Sequence, residues 1–351
     1  MPEMTPRERW LAVLERRQPD RVPMDYWGTP EITEKVMVHL GVSDQTAMDA
    51  ALHIDRPADV GPAYVGPECP PETDMYGCRF EMVDYGTGAY RECVHHPLAD
   101  FTSVDEIAAN HRWPSADWFD YEVIPDQIDA HPDRPIQIAM AGLYTQYTHL
   151  RGLEQAFVDF ALNHDIVLYC LGQLYDAHAE IARLAFEAGQ GRIDIGTVYN
   201  DLGSQLDLMC SPRTVRKLFV PGIRQLAQVA HEHGAYVFLH SDGAIRKAIP
   251  DLIDAGVDIL NPIQWRCAGM EREGLKRDFG DRVIFHGGVD NQRTMVSGTV
   301  DDVREEVRTN LEILGRSGGY IIAPCHALQA VSPPENVVAL YEAGYKYGQS
   351  T

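Results

Sequence analysis

From about residue 136 onward, short apolar runs alternate with helix-length amphipathic stretches. Ile136-Gln-Ile-Ala-Met-Ala141 reads as a strand and is followed by a helical stretch from near Leu153 to Ala188. Arg192-Ile-Asp-Ile-Gly-Thr-Val-Tyr199 reads as the next strand. Ser211-Pro-Arg-Thr then opens a helix, with Ser211 suited to the N-cap and Pro212 to the first helical position. Ala235-Tyr-Val-Phe-Leu-His240 reads as a strand and leads to a helix through Ile253. Val257–Leu260, Arg282–Phe285 and Gly319–Ile322 complete the alternation. Short apolar runs between helices mark a parallel sheet buried on both faces. Behind a helix at Pro6–Arg16, Arg21-Val-Pro-Met24 is expected to be the first strand, and an eighth is expected between Asp55 and Val65. No glycine-rich phosphate loop follows any of these strands, which favours a closed (β/α)8 TIM-type barrel over an open doubly wound sheet.

Residues 67–134 break the pattern. Cys78–Val83 and Ala89–Val94 flank Asp84-Tyr-Gly-Thr-Gly88, which reads as a β-hairpin with a glycine-bearing loop. The expectation is a single domain over 1–351, with this segment inserted as a lid or rim over the barrel mouth. The 351 residues exceed the roughly 250 of a typical barrel, which leaves room for such an insertion.

Composition narrows the setting. A hydrophobic fraction of 45% is ordinary for a globular core. There is no apolar run of about 18 residues, so no membrane span is expected. The polar start at Met1–Pro6 does not resemble a secretory signal. The seven cysteines (Cys69, Cys78, Cys93, Cys170, Cys210, Cys267 and Cys325) are odd in number and contain no CxxC pair. That argues against a disulfide framework and for a reducing, cytoplasmic setting. The formal net charge of −22 disfavours nucleic acid, anionic lipid and strongly polyanionic small substrates.

In a barrel of this kind, chemistry sits just past the C-terminal strand ends. Five strands end in polar clusters: Tyr199-Asn-Asp201-Leu-Gly-Ser-Gln205, His240-Ser-Asp242-Gly243, Asn261-Pro-Ile-Gln264, His286-Gly-Gly-Val-Asp290 and Pro324-Cys325-His326. Any one of them could be a loop cap; five with His, Asp and Cys among them are hard to explain as capping. Tyr26, Trp27, Tyr144 and Tyr147 are either core aromatics or the floor of a pocket. Asp201, His240, Asn261, Asp290 and His326 are expected to point into one cavity.

The chain resembles the uroporphyrinogen decarboxylase superfamily, which also contains zinc-dependent methyltransferases serving corrinoid proteins. The resemblance rests on Thr5-Pro-Arg-Glu-Arg9 with Pro19-Asp-Arg-Val-Pro23, on Leu150-Arg-Gly-Leu-Glu154, and on Asn200-Asp-Leu-Gly-Ser-Gln205. It continues through His240-Ser-Asp-Gly243, Gly287-Gly-Val-Asp290 and Pro333-Pro-Glu-Asn-Val337. True decarboxylases of this resemblance carry an arginine signature of the form R-Q-A-G-R near the N-terminus. Here the stretch reads Met24-Asp-Tyr-Trp-Gly28, with no arginine pair to grip a polycarboxylate. The methyltransferase branch binds zinc through a His-x-Cys pair and a later Cys. Here the pair reads His240-Ser-Asp242, and Cys325 stands beside His326.

Asp in place of Cys hardens the site, which suits Lewis-acid activation of an ether or amine better than thiol activation. The resemblance thus implies a zinc-dependent methyltransferase working between a small methylated substrate and a corrinoid protein, and allows a homodimer. Cobalamin would ride on the partner, because no Asp-x-His-x-x-Gly segment occurs. Zinc ligands are expected at His240, Cys325 and, more weakly, Asp242, with His326 in place of Cys325 as the other arrangement. Asp201, Asp290 and His326 are the catalytic candidates. Tyr26, Tyr144, Tyr147, Asn261, Gln264 and Gln329 are the substrate-binding candidates. The alternatives are a decarboxylase of a smaller acid and a barrel that binds without catalysis.

Overall fold

The computed structural model describes residues 3–350 except 85 and 87. Met1 and Pro2 of the polar start and Tyr85 and Thr87 of the expected hairpin loop therefore lie outside the described residues. In chain order the strands are β1 (Ala58–Asp59), β2 (Ala63–Tyr64), β3 (Arg79–Asp84), β4 (Ala89–His95), β5 (Phe119–Asp120), β6 (Ile136–Ala141), β7 (Ile195–Tyr199), β8 (Tyr236–His240), β9 (Ile259–Asn261), β10 (Ile284–Val289) and β11 (Tyr320–Pro324). Seven of them form one parallel sheet in the order β1-β6-β7-β8-β9-β10-β11.

The segment Arg21–Asp25 closes this sheet into a barrel. Met24 bridges Ile322 in parallel, and the Asp55 N–H donates to the Met24 carbonyl at 2.7 Å. The expected first strand is thus reduced to isolated bridges, since Pro23 has no N–H to give to a ladder. A buried ion cluster pins the seam. The Asp55 carboxylate takes Arg9 and Arg21 at 2.6 Å each and the Met24 N–H at 3.0 Å, while Arg9 also reaches Asp20.

The helix Pro6–Leu14 starts at a capping box in which Thr5 and Glu8 satisfy each other's N–H groups. It plugs the barrel's lower end: Trp10, Val13 and Leu14 pack with Ile195, Phe238, Ile259, Ile284 and Ile321 from five strands. Side chains on a strand repeat with period two. Thr197, His240, Asn261 and His286 therefore face the same interior, one layer higher than Ile195, Phe238, Ile259 and Ile284. The barrel is filled from below with hydrocarbon and capped from within by polar side chains.

The single helical stretch expected over Leu153–Ala188 is two helices, Leu153–Leu162 and His164–Gly189. Asn163 breaks it at φ −115°, ψ 53°, with its amide donating to Asp159 at 2.8 Å. An asparagine side chain that bonds locally competes with the helical backbone. The helix expected to run through Ile253 shortens to Ile249–Asp254.

Between residues 63 and 120, β3 and β4 pair antiparallel and β2 pairs antiparallel with β5. Cys78 and Phe80 are buried in the core, whereas most of the two hairpin strands is exposed. Tyr90 of β4 donates to Gln329 at 3.4 Å, which sets the hairpin beside the loop after β11. Among the described residues no helix is long and apolar enough to cross a membrane.

Candidate metal and substrate site

At the C-terminal ends of the strands, His240, Asp242 and His326 offer ligand atoms that all lie within 4.8 Å of one another. His240 Nε2 stands 3.9 Å from Asp242 Oδ1 and 3.6 Å from Asp201 Oδ1, and His326 Nε2 stands 3.9 Å from the second Asp242 oxygen. These separations are too long for hydrogen bonds, and they leave the lone pairs converging on a common space. Among the described residues neither Asp201 nor Asp242 has an Arg or Lys within 4.0 Å. Burial raises the Asp242 carboxyl above its ordinary range; His240 and His326 oppose that shift and Asp201 adds to it. Two imidazoles and an under-compensated carboxylate are a donor set that fits a divalent cation such as zinc.

Glycine holds the two acidic loops together. Gly243 has φ +88°, and a Cβ there would fall 2.5 Å from the Gly203 carbonyl carbon and the Ser204 carbonyl oxygen. A Cβ on Gly203 would in turn meet the Asp242 carbonyl at 2.6 Å. The loops after β7 and β8 therefore touch backbone to backbone, and the Asp242 N–H donates to Asp201 at 3.2 Å. Gln264, after β9, completes the support. Its amide donates to Asp242 at 3.0 Å and its carbonyl accepts from the Gly243 N–H at 2.6 Å.

Behind His240 a chain of buried polar groups crosses the barrel interior. His240 Nδ1 meets Asn261 Oδ1 at 2.5 Å, Asn261 Nδ2 meets His286 Nδ1 at 2.7 Å, and His286 Nε2 meets Asp25 at 3.0 Å. All four residues are at most 5% exposed. The Trp27 indole donates to the same Asp25 oxygen at 2.9 Å, and its ring lies against both His240 and His286.

The expected ligand Cys325 is not the residue that faces the site; the structure turns His326 toward it instead. The chain bends at these two residues, so strand alternation no longer governs them. The Cys325 thiol is buried, donates to the Ile263 carbonyl at 3.2 Å and does not join the converging atoms. Burial, with Glu306 adding to it, raises this thiol well above its usual range. A thiol held protonated is a poor ligand, because metals take the thiolate.

The remaining candidates divide. Asp201 belongs to the site, and Gln264 supports it. Asn261 lies beneath it, committed at both ends of its amide. Asp290 points into a neighbouring cleft lined by Gln264, Cys325 and Arg266, and the Arg266 guanidinium pairs with it. Tyr144 shows a buried hydroxyl with no hydrogen-bond partner among the described residues, close enough to Asp201 to feel its charge. Tyr26 turns outward to Thr33 at 2.8 Å and to Tyr341. Tyr147 donates to buried Asp159 at 2.7 Å, inside the Arg151–Asp159 ion pair. Gln329 meets the hairpin.

Sequence reasoning passed over Asp25 as a site residue and left Trp27 as an undecided aromatic. The period-two spacing from Phe238 to His240 and from Ile284 to His286 was the available signal for the buried chain.

A (β/α)8 barrel with a His/Asp cluster over a polar interior defines a class in which the mouth carries the function. The uroporphyrinogen decarboxylase (URO-D) family model matches residues 130–347, and the chain belongs to that family. It is 26% identical over 217 residues to "Methylcobamide:CoM methyltransferase MtaA" of Methanosarcina barkeri, a match covering 62% of this chain and 59% of that relative. The chain thus spans about three-fifths of that relative's length. It is also 29% identical over 100 residues to "Uroporphyrinogen decarboxylase" of Psychromonas ingrahamii, over 27% of each chain. A solved "methyltransferase from Methanosarcina mazei" superposes with a TM-score of 0.68 at 22% identity, covering 98% of this chain and 99% of its own, which shows the shared fold.

Proposed function

We propose that this protein is a zinc-dependent methyltransferase that moves a methyl group between a small methylated compound, such as an O-methyl compound, and a separate corrinoid protein. The observation that carries the reading is the convergence of His240, Asp242 and His326 in the barrel mouth. The name of the Methanosarcina barkeri relative, which specifies a methylcobamide, supports the corrinoid partner.

His240, Asp242 and His326 would hold the zinc. When bound, it supplies a Lewis acid that polarises the heteroatom carrying the methyl group. The chain's own residues do the rest. Trp27 walls the site beside His240 and excludes water from that side. Asp201, with 42% of its side chain exposed, is open to a substrate and can orient it or hold a proton. The buried Tyr144 hydroxyl, without a hydrogen-bond partner among the described residues, lies near Asp201 as an uncommitted donor. Gln264 keeps Asp242 facing inward, and Asp290, paired with Arg266, serves the adjoining cleft.

The test is methyl transfer: the protein, supplied with zinc and a Co(I) corrinoid protein, is screened against O-methyl and N-methyl compounds for formation of methyl-Co(III). Methyl transfer that depends on His240 supports the reading, and none with any methyl compound counts against it. A second reading, decarboxylation of a smaller acid, draws on family membership alone. The missing arginine pair speaks against uroporphyrinogen itself. Carbon dioxide release from uroporphyrinogen at an enzymatic rate, about 1 per second or more, would reverse that judgement.

A further inference from the structure

We propose that Asp25 fixes the tautomer of His240 through His286 and Asn261, holding His240 Nε2 unprotonated and turned toward the Asp201–Asp242–His326 group. The inference rests on the proposed metal reading for its purpose, but not for its geometry.

The polarity of the chain follows from what each group can donate. Asp25 as a carboxylate only accepts. Its Oδ1 takes the Tyr26 N–H at 2.8 Å, and its Oδ2 takes the Trp27 indole N–H at 2.9 Å. The His286 contact at 3.0 Å falls on that same Oδ2, so His286 Nε2 must be the donor. A neutral imidazole with its proton on Nε2 presents a lone pair at Nδ1. Asn261 must then turn its NH2 toward His286, as it does at 2.7 Å, and its carbonyl oxygen toward His240. That oxygen can only accept, so His240 carries its proton on Nδ1, 2.5 Å away. In the neutral ring that leaves Nε2 bare, and it is the nitrogen that faces Asp201 and Asp242.

Each link is a buried side chain in the barrel interior, where a reversed dipole would strand a donor against a donor. A wrong tautomer at any position therefore leaves buried donors unpaired, and the whole chain keeps one sense. Trp27 adds to the arrangement by sealing Asp25 from the mouth with the ring that also packs on both imidazoles. Asp25 is thus a positioning residue acting through two intermediates. Outer partners of this kind set ligand orientation and basicity in metal sites.

The test uses full-length protein with 15N-labelled histidine, at one fixed pH, read first without metal and then by zinc titration. The parent should show His240 with a protonated Nδ1 and a bare Nε2. Asp25→Asn puts an NH2 or a frustrated amide where three donors converge; it should scramble the His240 tautomer and weaken zinc binding by about 10- to 100-fold. Asn261→Asp offers His240 an acceptor whatever His286 does. The double variant Asp25→Asn/Asn261→Asp should therefore restore the His240 tautomer, which a merely structural role for Asp25 would not produce. If Asp25→Asn does not fold, Asn261→Leu leaves Asp25 in place, removes the acceptor and should scramble the tautomer in the same way.

An unchanged His240 tautomer in Asp25→Asn or Asn261→Leu overturns the proposal, as does failure of the double variant to restore it. A parent that binds no zinc, yet shows the expected tautomer pattern, sinks the metal reading and leaves the relay standing.

Discussion

Replacing Gly243 by alanine tests how the acidic loops are held. Its φ of +88° lies in the region where an L side chain is strained, at a cost of about 1 kcal/mol. The new Cβ would also fall 2.5 Å from the Gly203 carbonyl carbon and the Ser204 carbonyl oxygen. Both are backbone atoms of a loop that is itself hydrogen-bonded to Ala244 and Asp207, so neither moves freely. Overpacking of this kind adds about 1–3 kcal/mol, for a total of about 2–4 kcal/mol. Gly234 is the control: its φ is +76°, but nothing lies within 4 Å of the position its Cβ would take, so Gly234→Ala should lose only about 1 kcal/mol. With 351 residues the unfolding entropy corresponds to about 0.7 kcal/mol per degree. Gly243→Ala should then lower Tm by about 3–6 °C and Gly234→Ala by about 1–2 °C, in thermal scans at one rate. Gly243→Ala should also weaken zinc binding, since Asp242 must shift, while Gly234→Ala should leave it unchanged. Equal Tm losses in the two variants would refute the backbone contact on which the placement of Asp201 and Asp242 depends.

Tyr147→Phe should lower stability by about 1–2 kcal/mol, because it removes one hydrogen bond to the buried Asp159 carboxylate, and should leave ligand binding at the mouth unchanged; a binding defect without a stability loss would contradict its placement. Burial pulls the Asp20 carboxyl up, but the hydrogen bonds from Arg9 and from the Met4 and Arg21 N–H groups win and hold it at about 2, against 3.8 for the free side chain. A carboxyl lowered in the folded state contributes stability that is full above about 3.8 and is lost as pH falls through about 2. Asp20→Asn should therefore flatten the acid side of the stability profile in that window; a parallel profile would count against the Arg9–Asp20 pair.

The barrel was legible because its strands are buried on both faces and so read as short apolar runs between helices. The closing strand was less so: Arg21–Met24 contributes bridges, and its seam relies on side-chain ions from Arg9, Arg21 and Asp55 that no periodicity reports. Several motifs behind the family resemblance turn out to be structural. Arg9, Asp20 and Arg21 pin the seam, Arg151 pairs with buried Asp159, and Asn336 donates to the carbonyls of Met295 and Gly298.

Of the site, the polar strand ends pointed to His240, Asp242 and Asp201. The choice between Cys325 and His326 depended on a bend after Pro324, which strand alternation cannot foresee. Tyr26 and Trp27 are adjacent, so one turns out and one in; the parity became clear only once Asp25 was seen to anchor the indole. Asp25 itself lies 215 residues before His240 in the chain, and only the closed barrel brings the two ends of the relay together.

Zinc stoichiometry tests the central claim most directly. The protein, stripped with chelator and reloaded, is measured by elemental analysis as parent, His240→Ala, His326→Ala and Cys325→Ser. The account predicts about one tightly bound zinc in the parent and in Cys325→Ser, and its loss in both histidine variants. A parent that binds none, or histidine variants that both keep their zinc, would contradict it.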